Sequence, residues 1–350
     1  MYYTGEDSMR FGMRILATVV VAAMAGHGLA QTAHPAERCV TQSQMTQPER
    51  DSLATAAMGL ATKIQANDQA GVKAVTIADY QKDFAGMGQV IQATSPRLAG
   101  TAADVTDVYV LDASSLAAVN GTNPDAAFFC TLNNSPAETE FAIPQLPPGK
   151  YGFATVHMNG SYPWQLSFLL RQEGGVWRLA GLYPKPMTAG GHDGLWYWTQ
   201  ARTMAARKEH WNAWLYYQQA ESLLRPANFI QSTHLEKLQA EQVAATPTAV
   251  SDGIGLENPL VVKGADGVEY KFTGMGVDDS LEKDKIDVTV HLKVDQIGDA
   301  VAAKKRNADA MSALLAAYPE MRKPFHGVWV FAEVPGQNPF ATEEAMSEIH

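Results

Sequence analysis

The hydrophobic pattern changes period at Ser95-Pro96, and that change dictates a fold with helices and strands in separate stretches. Before it, Glu49 to Asn67 places Leu53, Ala57, Leu60, Ala61 and Ile64 on one helical face, with Pro48 near the start. Shorter helices are expected over Gln69–Ala78 and Gln81–Ala93, the last ending before the proline. After it, Val105, Tyr109 and Leu111 alternate as in a strand. Further strands are expected over Ala126–Leu132, Tyr151–Met158, Trp164–Arg171 and Val176–Tyr183. Asn159-Gly160 and Gly174-Gly175 supply the turn chemistry between the last three. Helices followed by an antiparallel meander make an α+β class by segregation.

This order, together with Val176-Trp177-Arg178-Leu179-Ala180-Gly181 after a Gly-Gly turn, resembles the cone-shaped domain of the nuclear transport factor 2-like superfamily over about residues 45–186. The resemblance implies a curved antiparallel sheet around an interior pocket. It implies no single activity, because one fold hosts enzymes, binding modules and adaptors alike.

Pro184-Lys185-Pro186 and Ala189-Gly190-Gly191 close that unit. A helical pair follows, Gly194–Arg207 and Glu209–Leu224, ended by Pro226. Tyr197, Ala201 and Met204, then Ala213, Tyr217 and Ala220, stand where a tetratricopeptide-like hairpin packs its two helices. Pro226 falls one place late and Gln200 replaces a usual apolar residue; no second copy lies 34 residues away. One such repeat rarely buries its own faces, so the pair is expected to pack on a neighbouring domain. A capping helix is expected over Phe229–Ala244 and a linker over Thr246–Asp252.

The last hundred residues read as a second small α+β unit. Strands are expected over Leu260–Val262, Val268–Phe272, Ile286–Val294 and Phe325–Val334. A long helix is expected over Gly298–Tyr318 and a short one over Thr342–Ile349. The domain division is therefore 1–30 leader, 31–46 polar tail, 47–186 cone-like domain, 192–244 helical hairpin with cap, and 245–350 C-terminal domain.

Residues 1–30 have the layout of a secretory signal peptide. Arg10 and Arg14 precede an apolar stretch from Ile15 to Ala25, and Gly28-Leu29-Ala30 offers small residues for cleavage after Ala30. Glu6 and Asp7 ahead of the arginines point to translation starting at Met9 or Met13 as well as Met1. No later run reaches eighteen apolar residues, so no integral membrane segment is expected in a mature chain that is periplasmic or secreted. In an oxidising compartment Cys39 and Cys130 are expected to form a disulfide; the alternative is two free thiols.

The chain of 350 residues has a globular composition, 46% hydrophobic and 18% charged, with a formal net charge of −10. Acidity of that size repels nucleic acid, which is not expected as a partner. The cationic run Lys304-Lys305-Arg306 reads as the solvated face of a helix.

Few patterns carry chemistry. His157, Tyr151 and Glu140, with Tyr162 and Trp164 nearby, are the candidates for a general base or acid in a cone pocket of isomerase or hydratase type. His157 reads more simply as an ordinary strand histidine. Seven rings crowd residues 196–217, and Trp196, Trp198, Trp211 and Trp214 are candidate binding residues for a carbohydrate, a protein or a small apolar ligand. The structural reading is that they cement two domains. Asp193 reads as a helix cap beside His192. Asp278, Asp279, Glu282, Asp284 and Asp287 lack calcium-loop spacing and read as a solvated turn. Asp252-Gly253-Ile254-Gly255 is too short for a nucleotide loop. No metal and no cofactor are expected. The expectation is an exported binding or scaffold protein of the bacterial cell envelope, with a small-molecule enzyme and a carbohydrate-binding accessory protein as alternatives.

Overall fold

A computed structural model describes residues 38–131, 135–265, 267–280 and 284–350. The leader, its cleavage point at Ala30 and Glu282 lie outside the described residues. The fold is α+β.

The chain enters as strand β1 (Arg38–Thr41), then helix α1 (Gln47–Gln65). Leu53, Ala57, Leu60, Ala61 and Ile64 of α1 are all buried, as their spacing requires. Helix α2 (Gln69–Ala74) is capped by Asp68, whose carboxylate accepts the Gly71 N–H at 2.8 Å. Helices α3 (Ala78–Lys82) and α4 (Ala85–Thr94) take the place of the single helix expected over 81–93, because Asp83 leaves helical geometry between them.

Strands β2 (Ala102–Asp112), β3 (Ala126–Thr131), β4 (Glu138–Ile143), β5 (Lys150–Asn159), β6 (Trp164–Glu173) and β7 (Val176–Pro186) follow. A five-stranded antiparallel sheet runs β1-β2-β5-β6-β7. One face carries Val108, Val110, Ala154, Val156, Met158 and Phe168, packed on α1 and α4. The approach is close at Gly152, where an added Cβ would lie 2.6 Å from Leu53 Cδ1. The opposite face carries Tyr109, Leu111, Tyr151 and Phe153 and is covered by a smaller sheet containing β3 and β4. Tyr109, Phe141 and Phe153 meet edge to face with centroids 5.1 and 5.2 Å apart. Each such ring taken from water contributes roughly 1.5–3 kcal/mol.

A two-residue hairpin, β8 (Thr188–Ala189) with β9 (His192–Asp193), leads into α5 (Gly194–Ala206) and α6 (His210–Leu224). Tyr197, Ala201, Met204, Ala213, Tyr217 and Ala220 are all buried between or beside these helices. The capping helix expected over Phe229–Ala244 instead begins as a strand, β10 (Ile230–Ser232), and becomes helical as α7 (Thr233–Ala245), capped by the Ser232 hydroxyl. β10 pairs antiparallel with β4, giving the small sheet the order β10-β4-β3. The helical hairpin is thereby hydrogen-bonded into the first unit across the expected boundary at 186–192.

After the single turn α8 (Thr248–Ser251) in the expected linker, strands β11 (Leu260–Lys263), β12 (Glu269–Asp278) and β13 (Asp287–Lys293) form a meander. Helix α9 (Ala300–Ala317) crosses to β14 (Gly327–Glu333), which is parallel to β13 and antiparallel to β15 (Phe340–Ala345). A helical crossover is what a parallel pair demands. The short helix expected over Thr342–Ile349 is not formed there. Thr342 is buried in β15 and accepts a 3.1 Å bond from Asn307 of α9, so strand pairing wins over local preference.

The polar 31–46 stretch is not wholly a tail either. Arg38–Thr41 pairs with β2, and Cys39 is disulfide-bonded to Cys130 of β3 with a Cα separation of 5.3 Å. Residues 37–350 form one compact unit. Among the described residues no helix is long and apolar enough to cross a membrane.

Candidate functional site

The aromatic helices resolve first. Trp198 and Trp211 are buried, while Trp196 and Trp214 are half-buried against the same core. Trp211 packs edge-on to Trp214 and Tyr318, and Tyr216 to Phe325, so the rings fill the junction between α6 and the C-terminal unit. Trp198 is fixed by a network with α7. Its Nε1 donates to Glu241 at 2.7 Å, and Arg202 donates twice to the same carboxylate at 2.6 and 2.8 Å. Arg202 also lies over the Trp198 ring, 4.5 Å from its centroid. The Arg202 hydrogen bonds hold the Glu241 carboxyl below its ordinary range. Asp193 caps α5 through the Trp196 N–H at 2.8 Å, and His192 stacks on Trp196 at 3.6 Å.

The three candidate acid–base residues are not brought together. Tyr151 and His157 share one face of β5, but six residues of strand separate them by roughly 20 Å. Tyr151 is buried and its hydroxyl donates to the Pro147 carbonyl at 2.8 Å, a satisfied core tyrosine. Glu140 lies in the other sheet, opposite Phe129 and Gln231.

What the fold does build is a pair of adjoining clefts where the two sheets meet the helices. One, of about 160 Å³, is lined by Asp107 and Tyr109 of β2, Thr139 and Phe141 of β4, Thr155 of β5, and Leu235 of α7. The other, of about 280 Å³, is lined by Leu195, Trp198 and His234. Leu224, Ser232 and Leu235 wall both. An irregularity in register between Val105 and Asp107 bends β2 at this point and sets Asp107 opposite Thr155. Four hydroxyl-bearing residues, Tyr109, Thr139, Thr155 and Ser232, thus line one small space. Burial, reinforced by the Asp107 charge, raises the Tyr109 phenol, so it stays a neutral donor. Leu195 is 60% exposed at the far rim. A larger depression of about 450 Å³ beside α2 and α4 is lined mainly by exposed polar side chains such as Lys73, Lys82 and Asp83.

In the C-terminal sheet the acidic stretch divides. Asp279 and Asp284 are exposed and Asp278 caps a turn by accepting the Ser280 N–H, as a solvated turn requires. Asp287 departs from that reading: it is 3% exposed and lies 3.2 Å from Nδ1 of His326, with Glu343 close by. Lys304 and Lys305 are exposed as expected, but Arg306 turns inward to the Gln296 and Ile297 carbonyls at 3.0 Å.

The groove residues escaped sequence reading because β4 carries no clean alternation and the β2 bend shifts its phase. Of these residues only Tyr109 stood on an expected strand face, with Val105 and Leu111. Its meeting with Thr139 and Ser232 depends on long-range pairing. Comparison with protein-family models, with curated proteins and with solved structures gives no match.

Proposed function

We propose that this chain is an exported, non-catalytic binding protein of the bacterial cell envelope, whose groove between β2, β4, α5 and α7 takes an uncharged amphiphile. The observation that carries the reading is the division of the groove. One end is lined by four hydroxyl-bearing residues, and the other is mainly apolar, bounded by Leu195, Leu224, Leu235 and Trp198 with Ser232 and His234 at its edge. Small-molecule sites commonly span about 300–1,000 Å³. Neither cleft reaches that range alone, so an elongated ligand lying across Leu224 and Leu235 suits them better than a compact one. The exposed Asp107 at the hydroxyl end and the net charge of −10 disfavour an anionic head group.

Binding rather than catalysis is favoured because both clefts open to solvent, whereas acid–base chemistry draws its strength from a water-excluded site. Export is supported by the leader pattern of residues 10–30 together with the Cys39–Cys130 disulfide. The likenesses to the nuclear transport factor 2-like cone and to a tetratricopeptide hairpin belong to the same proposal; the first would supply the groove's sheet wall and the second its helical wall.

The test is a titration with N-phenyl-1-naphthylamine, a neutral apolar fluorophore, competed by monododecanoyl glycerol. One saturable site is expected. Thr139→Phe, which fills the hydroxyl end from β4, should weaken both ligands at least tenfold. A Thr139→Phe protein that is folded and binds as tightly as the parent overturns the reading.

A further inference from the structure

The geometry points to a divalent transition-metal site of the zinc class formed by Asp287, His326 and Glu343, at one end of the C-terminal sheet. It lies apart from the groove and does not rest on the binding proposal. Asp287 opens β13, His326 immediately precedes β14, and Glu343 sits in β15. Each presents one ligand atom, and the three atoms lie within 4.8 Å of one another. They belong to three adjacent strands whose register is fixed by pairing, so they converge through the fold and not through a mobile loop. The His326 backbone is held on both sides, by its N–H to the Ile286 carbonyl at 2.9 Å and by its carbonyl to the Met346 N–H at 2.8 Å.

The space among the three is kept by Gly327. Its backbone has no positive φ, so the glycine is there for room. An added Cβ would lie 2.8 Å from the Glu344 carbonyl oxygen, 3.0 Å from Asp287 Oδ1 and 3.1 Å from Glu343 Oε1. Any larger residue would push the two carboxylates apart.

Donor chemistry and spacing favour an ion. Two carboxylates and one imidazole converge on one point, and Asp287 is almost wholly buried there. Tetrahedral zinc with N and O ligands at about 2.0–2.1 Å sets neighbouring donors roughly 3.3 Å apart. The Asp287 Oδ1 to His326 Nδ1 distance is 3.2 Å. Replacing that proton by an ion therefore requires little movement on this edge, and Glu343 closes the third vertex by a side-chain rotation. One imidazole with two carboxylates is a borderline donor set, suited to zinc or manganese before calcium. Three protein ligands leave a fourth position for water.

The test uses the full mature chain, without an affinity tag, stripped with chelator and titrated with zinc chloride by calorimetry, with manganese and calcium chloride as separate arms. One equivalent of zinc should bind, and His326→Ala should weaken it at least tenfold while keeping the parent circular dichroism. Should His326→Ala fail to fold, Glu343→Gln, altered at a half-buried position, carries the same expectation. Zinc uptake unchanged in the folded variant, or no saturable zinc uptake by the parent, overturns the proposal and leaves a hydrogen-bonded His326–Asp287 pair beside Glu343. Calcium binding tighter than zinc likewise overturns it, because the imidazole would then hold no ion.

Discussion

Cys39 and Cys130 join the edge strand of the five-stranded sheet to β3 of the small sheet that covers its face, with Cα atoms 5.3 Å apart. The bond spans a sequence separation of 91 residues. Loop-closure entropy of that size is worth about 4–5 kcal/mol in the chain-entropy model. Cys39→Ser with Cys130→Ser should lower the urea midpoint by a corresponding amount. Protein taken from an oxidising compartment should show no reactive thiol under denaturing labelling; two thiols per chain would contradict the pairing.

At Gly152 the five-stranded sheet packs directly against Leu53 of α1. Gly152→Ala would place Cβ 2.6 Å from Leu53 Cδ1 and 3.3 Å from Trp177 Cζ3, in a region with Leu53 fully buried. Overpacking of this kind typically costs about 1–3 kcal/mol. Chemical denaturation should show that loss, and Leu53→Ala in the same chain should recover part of it. Full additivity of the two substitutions would contradict the contact.

The Glu241 carboxylate binds Trp198 and Arg202 at once, fastening α7 to α5. Glu241→Gln keeps an acceptor and loses the charge. Because Arg202 is nearly half exposed, the cost should be modest, about 1 kcal/mol or less. The folded carboxyl titrates below its unfolded value, so the stability it supplies is present above the unfolded value and is lost as pH falls through the lowered one. Denaturation midpoints of parent and variant should therefore converge below about pH 4.

Alkaline pH should show two opposing slopes. Burial, helped by the nearby Arg225 charge, lowers Lys185 to about 8. Between about 8 and 10.5 the unfolded chain keeps a proton that the folded chain has released, so stability from this group rises with pH. Burial raises Tyr216 and Tyr217 to about 12, so above 10 the folded chain keeps protons that the unfolded chain loses, and stability falls. Urea midpoints should climb from pH 8 to 10 and drop beyond it. Lys185→Met should abolish the climb and leave the drop.

The periodic parts of this fold were legible in the sequence. Leu53 to Ile64 named the face of α1, Asn159-Gly160 and Gly174-Gly175 placed the β5–β6–β7 meander, and Asp193 declared a helix start that the structure bears out. What failed was set by distant partners. Ile230–Ser232 looks helical until β4 offers it an edge, and Thr342 looks helical until Asn307 offers it a bond. Asp287 looked solvated because four acidic residues precede it in sequence, yet it is buried at the start of β13, where it pairs with Asp278 of β12. His326 stood alone in the sequence, with no metal-binding spacing to mark it, because strands β13, β14 and β15 are what assemble its neighbours.

The groove is tested most directly by amide hydrogen exchange of the mature chain with and without saturating monododecanoyl glycerol. Added protection is expected at Asp107–Tyr109, Thr139–Phe141 and Ser232–Leu235, the segments that wall the two clefts. Protection confined to other segments, or none at a concentration that displaces the naphthylamine probe, would contradict the account.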